Sequence, residues 1–238
     1  MSRERCYCPD PPVAGRLILT GDEAHHLGRV RRAGPGTLVD VFNGTSPDAW
    51  PARVVSCSPR QVELEIIGNP VPGPVPALDL TLAVALPKGE RTDWLVEKSV
   101  EIGVSRLLPL RTTRSVVDPH PAKLDRLRRR VIEASKQSGR NRLMEITPPQ
   151  PWPQLLAQPP AGARLIANPG GPPPPSWPTF DRSQPVLLAI GPEGGWTDEE
   201  LHDATRFGWT PVGLGPILMR IETAALVAAA MILLGASA

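Results

Sequence analysis

The chain has 238 residues, of which 41% are hydrophobic and 21% charged, a balance typical of a folded globular protein. The formal net charge is only +2, so overall charge gives no reason to expect a nucleic-acid partner. The C-terminal apolar run from Ala224 to Leu234 is shorter than the roughly 20 residues of a transmembrane helix, and no apolar leader begins the chain, so we expect a cytoplasmic protein.

Short β-rich runs separated by turn residues characterise the first 68 residues. Gly34-Pro35-Gly36 and Asn43-Gly44 are typical turn sequences between such runs. The predicted strands are 17–19, 38–42, 50–55 and 61–67, and a short helix is predicted at 22–32. This spacing of strands predicts a small β-barrel.

The proline-rich segment 69–76 is the predicted domain boundary, because repeated prolines make a stiff linker. We therefore expect one domain at residues 1–70 and a second at 75–238. In the second domain, strands alternate with helices. The predicted strands are 78–86, 106–110, 165–167, 186–190 and 212–214, and the predicted helices are 93–102, 121–138, one from Asp198 and a terminal one. Such alternation predicts an α/β domain with a mostly parallel sheet.

Basic residues are concentrated between Pro121 and Arg142, where eight positive and two negative side chains give a local charge of +6. Three more arginines, Arg29, Arg31 and Arg32, lie close together in the first domain. Clustered arginine and lysine are typical of a surface that binds a phosphate backbone. The alternative interpretation is a solvated helix face.

Several kinds of site are absent from the sequence. It has no dinucleotide-binding glycine motif and no phosphate-binding P-loop. The three cysteines and four histidines lack the spacing of metal ligands, and no serine or cysteine nucleophile motif is present. We therefore expect neither a metal nor covalent catalysis, and favour a reaction that depends on positioning two bound partners.

Two segments read as a buried strand, a tight Gly/Pro turn and the start of a helix. They are 185–197 and 214–225. Such turns leave main-chain groups at the strand ends, where a ligand of an α/β sheet binds. Two adjacent turns of this kind predict a nucleoside pocket built mostly from main chain. Thr197 and Glu200 form a predicted capping box behind the first turn.

Five spaced motifs resemble those of one known family. They are Leu86–Arg91, Glu97–Val104, Glu133–Arg142, Ile190–Gly195 and Leu214–Ala224. The segment Asp22–Arg32 resembles part of the family's N-terminal PUA-like domain. The chain is therefore similar, from end to end, to the uridine-N3-methyltransferases of small-subunit ribosomal RNA, which are members of the SPOUT superfamily.

The resemblance implies a SPOUT domain with a deep trefoil knot at its C-terminus, preceded by the PUA-like barrel. It also implies a homodimer, and S-adenosylmethionine bound within the knot. The cofactor-binding positions that it implies are Leu86, Asn168, Ile190, Gly191, Pro192, Glu193, Gly194, Leu214, Gly215, Leu218, Met219, Thr223 and Ala224.

The implied reaction is methylation of N3 of a uridine in 16S ribosomal RNA. This nitrogen carries a proton at neutral pH, so the enzyme must remove the proton or stabilise the anion. We expect Arg220 to stabilise the anionic base or its phosphate, because a guanidinium stays charged. Glu222 is expected to orient Arg220 or act as a base, the alternative being simple complementation of the helix dipole. The family's last motif usually carries a second arginine, where this chain has Ile217.

The resemblance also implies a set of RNA contacts on both domains. The positions are Arg29, Arg31, Arg32, Lys88, Arg91, Lys136, Arg140, Asn141 and Arg142. Two other functions stay open. One is methylation of another RNA position, such as a ribose 2′-hydroxyl, and the other is a non-catalytic RNA-binding assembly factor.

Overall fold

The computed structural model describes residues 3–58, 60–174 and 177–235, which form two compact units. The N-terminal unit is Met1–Val75 together with Ile132–Leu143, and the C-terminal unit is Pro76–Val131 together with Met144–Ala238. The N-terminal unit is therefore built from two separate stretches of sequence. None of the helices in the described part of the chain has the length and hydropathy of a membrane span.

In the described residues of the N-terminal unit, six strands form one sheet in the order β1-β3-β4-β5-β2, with β6 beside β4. The strands are β1 Glu4–Tyr7, β2 Arg16–Thr20, β3 Leu38–Phe42, β4 Asp48–Cys57, β5 Gln61–Ile66 and β6 Val71–Pro72. The β1–β3 pair is parallel and the other pairs are antiparallel. The predicted small β-rich domain is confirmed, although β1 and β6 were not predicted.

Alternating burial along the strands gives this sheet its core. In β2, Leu17 and Leu19 are buried whereas Ile18 is exposed, as expected when successive side chains point to opposite faces. The helix predicted at 22–32 is instead a short α-helix α1, Gly21–His25, followed by a π-helical turn, His26–Val30.

The C-terminal unit contains a sheet of seven strands in its described residues, in the order β10-β8-β7-β12-β11-β13 with β9 beside β8. The strands are β7 Leu80–Val84, β8 Arg106–Arg111, β9 Glu145–Ile146, β10 Gln150–Pro151, β11 Ala163–Ala167, β12 Val186–Ile190 and β13 Thr210–Val212. Every one of these pairs is parallel, so the predicted parallel sheet is confirmed. Both β7 and β12 are buried along their whole length, as strands covered on both faces should be.

The remaining helices are α2 Glu90–Ile102, α3 Pro121–Ser138, α4 Trp152–Ala157, α5 Asp198–Arg206 and α6 Ile221–Gly235. The predicted end of α2 at Gly103 is confirmed, and this glycine has the left-handed φ of 97°. The predicted capping box of α5 is also confirmed, since Thr197 and Glu200 exchange both hydrogen bonds. By contrast, α2 begins at Glu90, three residues before the predicted start. Thr92 therefore lies inside the helix, where its hydroxyl donates to the carbonyl of Pro87.

Candidate active site

The carboxyl ends of four parallel strands form one row in the C-terminal unit. Val84, Ile190, Ala167 and Val212 are aligned across β7, β12, β11 and β13. The Ala85 N–H continues this row by donating to the Ile190 carbonyl at 3.0 Å. Because ligands of open α/β sheets bind outside the carboxyl ends of the strands, this edge is the candidate site.

The segments that follow these strands contain the cofactor positions that the sequence implies. Leu86 follows β7 and Asn168 follows β11. The others follow β12 or β13, or lie in the first turn of α6. They are Ile190, Gly191, Pro192, Glu193 and Gly194 after or at the end of β12, Leu214, Gly215, Leu218 and Met219 after β13, and Thr223 and Ala224 in α6. Leu218 is 82% exposed and Ile217 77%, so two apolar side chains project from the segment before α6.

Gly191 is required by a neighbour within its own turn. A Cβ at this position would lie 2.8 Å from Cε2 of Trp196, so the indole packs directly across the glycine. The Trp196 Nε1–H donates to the Ala167 carbonyl at 2.9 Å, and its ring lies 4.8 Å from that of Trp152. The resemblance implied that Gly191 contacts the cofactor. The packing of Trp196 is a separate, structural reason for a glycine at this position.

Gly215 needs a backbone conformation that other residues rarely adopt. Its φ is 108°, and a Cβ built on it would meet no atom within 4 Å. The turn after β13 therefore opens onto unfilled space at the candidate site. This arrangement fits a ligand that approaches the main chain closely.

The two candidate catalytic residues differ in exposure. Arg220 is exposed, and its guanidinium has no hydrogen bond or ion pair among the described residues. Glu222 is only 6% exposed, and its Oε2 has no hydrogen-bond partner in the described part of the chain. Glu222 Oε2 lies 3.6 Å from Nη1 of Arg91, so the structure pairs Glu222 with Arg91 rather than with Arg220.

Arg91 also binds the turn after β12. Its Nη2 donates to Glu193 Oε1 at 2.6 Å, and this hydrogen bond raises the pKa of Arg91 above its ordinary value. One guanidinium thus contacts carboxylates from two segments of the site. The resemblance had implied an RNA contact for Arg91. Its carboxylate partners lie far away along the chain, so no local signal in the sequence indicates these contacts.

The arginines of the N-terminal unit remain accessible. Arg29, Arg31 and Arg32 are all exposed at the end of the π-helical turn. Arg31 donates to Glu4 at 3.1 Å, which neutralises part of the cluster. A positive patch is therefore available on this unit for a phosphate backbone.

Three of the predicted RNA contacts are buried instead. Lys136, Arg140 and Asn141 are 7%, 5% and 2% exposed. Lys136 binds two carboxylates, Arg140 donates to the Arg142 carbonyl at 2.6 Å, and Asn141 accepts from Arg5 at 2.5 Å. Burial lowers the pKa of Arg140 to about 10. These groups hold the end of α3 within the N-terminal unit, and their burial does not support direct contact with RNA.

The rest of the predicted basic run is largely ion-paired. Arg126 pairs with Asp93 at 3.1 Å, Arg128 with Asp125 at 2.7 Å and Arg130 with Glu97 at 3.8 Å. Asp125 is already included in the local charge of +6, but Asp93 and Glu97 lie outside the basic run and offset part of that charge. Lys88 and Arg142 are exposed.

Sequence reasoning missed Arg114, which lies in the loop after β8. Its Nη1 donates to the Gly194 carbonyl at 2.8 Å and to the Trp196 carbonyl at 3.3 Å. The N–H of Thr113, the residue before Arg114, donates to Glu200 Oε1 at 2.9 Å. No local motif indicates these contacts, because they join residues 80 or more positions apart. Among the described residues, no cluster of acidic, histidine or cysteine side chains could hold a metal ion.

Comparison with known families and proteins matches two parts of the chain. Residues 74–233 match the RNA methyltransferase domain, and residues 19–67 match the RNA methyltransferase PUA domain. The chain is 33% identical over 238 residues to ribosomal RNA small subunit methyltransferase E of Synechocystis, covering 98% of this chain and 77% of the relative.

Two solved structures share the fold over nearly the whole chain. A methyltransferase from Legionella pneumophila in complex with its cofactor SAM has a TM-score of 0.91 and 30% identity, covering 99% of this chain and 98% of that one. Ribosomal RNA small subunit methyltransferase E from Neisseria gonorrhoeae, bound to S-adenosyl methionine, has a TM-score of 0.87 and 29% identity, with 97% coverage of each chain. The chain therefore belongs to the RNA methyltransferase family that includes ribosomal RNA small subunit methyltransferase E.

Proposed function

We propose that the protein transfers a methyl group from S-adenosylmethionine to N3 of a uridine in the 16S RNA of the small ribosomal subunit. The main support within the chain is the row of strand ends, because it gathers the four segments that carry the family's cofactor and catalytic motifs. The names of the relatives, and the cofactor in two of the similar structures, agree with this proposal.

Three features of the candidate site support binding of a nucleoside cofactor. Turns follow the strand ends, Gly215 faces open space, and the apolar side chain of Leu218, in the same segment, is exposed. We propose that the cofactor-binding residues are those implied by the sequence, at the ends of β7, β11, β12 and β13 and at the start of α6. When bound, S-adenosylmethionine supplies a methyl group on a positively charged sulfur, ready for transfer to a nucleophile.

The protein's own residues must prepare the uracil. Arg220 is exposed and unpaired among the described residues, so its guanidinium is free to stabilise negative charge on the base. Glu222 has a buried oxygen without a hydrogen-bond partner in the described residues, which suits it to accept a proton or hydrogen bond from a substrate. We propose Arg220 as the catalytic cation and Glu222 as the acceptor.

RNA contact is proposed for the exposed basic residues. These are Arg29, Arg31, Arg32, Lys88 and Arg142. Lys136, Arg140 and Asn141 would support this function indirectly, by holding the end of α3 within the N-terminal unit. Phosphate contacts of this kind position an RNA without reading its bases.

At the level of organisation, we propose that residues 1–70 are the PUA-like RNA-binding domain and that residues 75–238 are a knotted methyltransferase domain. We also propose a homodimer. Beyond Thr223 the terminal helix α6 is apolar all round, and Leu234 is 71% exposed, so a second copy would cover this surface. We propose that the protein acts in the cytoplasm, in keeping with a ribosomal RNA substrate.

The test is nucleoside analysis by mass spectrometry. Purified protein is incubated with S-adenosylmethionine and either small ribosomal subunits or free 16S RNA from a strain that lacks the modification. We expect 3-methyluridine in the digested RNA. A 2′-O-methylated nucleoside would identify a methyltransferase with a different target. An assembly factor would be favoured if the protein binds the cofactor without methylating the RNA, or if it neither binds the cofactor nor methylates the RNA.

A further inference from the structure

The turn Pro192–Trp196 is contacted by two arginines from other segments of the C-terminal unit. Arg91 reaches it from the first turn of α2, and Arg114 reaches it from the loop after β8. Neither arginine is adjacent to the turn in sequence. Each contact therefore restricts the conformation of the turn from outside its own segment.

Arg91 fixes the turn through a carboxylate. It donates to Glu193 at 2.6 Å and lies 3.6 Å from Glu222 in the first turn of α6. Because Glu222 is 94% buried, its position is set by packing, and it gives the guanidinium a fixed reference point. Arg91 thus links the turn after β12 to the helix that follows Arg220.

Arg114 fixes the same turn through its main chain. It donates to the carbonyls of Gly194 and Trp196, and its Cδ lies 3.3 Å from where a Cβ of Gly194 would stand. The turn is thus bonded at two carbonyls and packed at Gly194. The loop that carries Arg114 is itself attached, because Thr113 donates to Glu200 of the α5 capping box.

These contacts also decide between two roles for the arginines. Arg91 donates to one carboxylate and lies within ion-pair distance of a second, so its charge is offset and it would be a poor phosphate anchor. In Arg114, the Nη1 nitrogen donates to two main-chain carbonyls, so this nitrogen is directed at the turn. Both geometries favour a role in holding the turn over a role in binding RNA.

We propose that Arg91 and Arg114 are positioning residues that hold the Pro192–Trp196 turn in its binding conformation before the cofactor arrives. This inference rests on the proposed function, since it takes the turn as part of the cofactor site. Holding the turn in advance lowers the conformational entropy that binding would otherwise cost.

The test compares Arg91→Ala and Arg114→Ala with two matched controls. Arg126→Ala removes the partner of Asp93, which lies on α2 as Arg91 does. Arg111→Ala removes the partner of Asp118 and changes the last residue of β8, just before the loop that carries Arg114. Amide hydrogen exchange of residues 191–197 is measured without cofactor, and cofactor affinity is measured by calorimetry. We expect faster exchange in both test variants and a rise of roughly tenfold in the dissociation constant, with neither change in the controls.

A second pair of variants tests the chemical route. Glu193→Gln should reproduce the effect of Arg91→Ala on exchange. The double variant Arg91→Ala/Glu193→Gln should be no worse than Arg91→Ala alone, because the contact between Arg91 and Glu193 is already lost in that variant. Additive effects would contradict a shared contact. This comparison stays informative if one arginine variant is poorly folded.

RNA binding separates the two roles directly. For positioning residues, the slope of log affinity against log salt should stay as in the unaltered protein. A slope lowered by about one, with exchange in the turn unchanged, would make either arginine a phosphate contact and overturn the proposal. Unchanged exchange and cofactor affinity would also overturn it. Failure of the proposed function would appear separately, as an absence of 3-methyluridine from the unaltered protein.

Discussion

Lys136 Nζ lies 2.7 Å from Oε1 of Glu23, and both side chains are largely buried in the N-terminal unit. Glu23 also accepts from the Tyr7 N–H at 3.0 Å, so the pair joins α3 to the strand β1 and the helix α1. Burial lowers the pKa of Lys136, but hydrogen bonds to Glu133 and Glu23 outweigh this effect and the pKa is raised. The ammonium is therefore a fixed structural charge.

Removing this charge should destabilise the protein. We expect Lys136→Met to lower the free energy of unfolding by about 2 kcal/mol or more, because the Glu23 carboxylate is left buried without its partner. Urea unfolding measures the change. The control is Arg16→Met, which breaks the exposed Arg16–Glu63 pair and should cost about 1 kcal/mol or less. Equal costs for the two variants would contradict a structural role for Lys136.

Arg220 should act on the rate of methylation rather than on binding. Arg220→Ala is expected to lower the single-turnover rate roughly a hundredfold, as when an anion-stabilising donor is lost. Higher pH should partly restore the rate, because more uridine N3 is then already ionised. Arg220→Lys keeps the charge without the planar fork and should bind both partners but react slowly. Lost RNA affinity with an unchanged saturated rate would make Arg220 a phosphate anchor.

Gly215 offers a test of the main-chain site. Gly215→Val is expected to raise the cofactor dissociation constant at least tenfold, about 1.4 kcal/mol, because φ is 108° and the side chain enters the open space. Gly208→Val is a matched control. Gly208 also has a positive φ, 78°, and open surroundings, but it precedes β13 and so lies at the opposite edge of the sheet. Similar cofactor affinities in the two variants would exclude a specific role for Gly215.

The two basic clusters should behave differently toward RNA. Replacing Arg29, Arg31 and Arg32 with glutamine is expected to weaken RNA binding and to reduce the salt slope by about two. The same change at Arg126, Arg128 and Arg130 should have a smaller effect, because each is paired with a carboxylate. Filter binding at several salt concentrations makes the comparison. An unchanged slope in the first variant would leave its arginines as a solvated surface.

The cysteines should differ in reactivity. Burial, with nearby Glu23 and Glu4, raises the pKa of Cys6 to about 12, and burial also raises the pKa of Cys8, whereas Cys57 is exposed. Since the thiolate is the reactive form, a thiol reagent at pH 8 should modify one cysteine in the folded protein and three after denaturation. Rapid modification of two or more in the folded state would contradict this.

The same shift predicts loss of stability at alkaline pH. Above pH 9 an unfolded Cys6 loses a proton that the folded protein keeps until about pH 12. The unfolded state then binds fewer protons, so stability falls by about 1.4 kcal/mol per pH unit across this window. Below pH 9 the contribution is fully present. Cys6→Ala should flatten the dependence measured by urea unfolding, and Cys57→Ala should not.

Local sequence signals predicted much of the fold. The strands at 38–42 and 186–190 were predicted with the observed bounds, since β-branched and apolar runs ended at turn residues. The capping box was equally local. By contrast, the strand β1 and its parallel pairing with β3 had no local signal, because a parallel partner is set by the whole fold.

The candidate site was predictable at its strand ends but not in its contacts. The glycine turns could be read from the sequence, since strand, turn and helix signals adjoin there. The charged residues could not, because their roles depend on distant partners. Lys136 is 113 residues from Glu23, and Arg91 is 102 residues from Glu193. Counting charge along a helix therefore overestimated the surface available to RNA.

The discontinuity of the N-terminal unit has a consequence for dissecting the protein. A fragment cut at the proline-rich linker would contain Glu23, Arg5 and Pro47 but none of residues 132–143 that bind them. Such a fragment would leave the Glu23 carboxylate, the Arg5 guanidinium and the Pro47 carbonyl without these partners. Isolating this unit in folded form would require fusing residues 132–143 to it through a short linker. In the natural sequence, that segment follows only after α2 and β8 of the other unit.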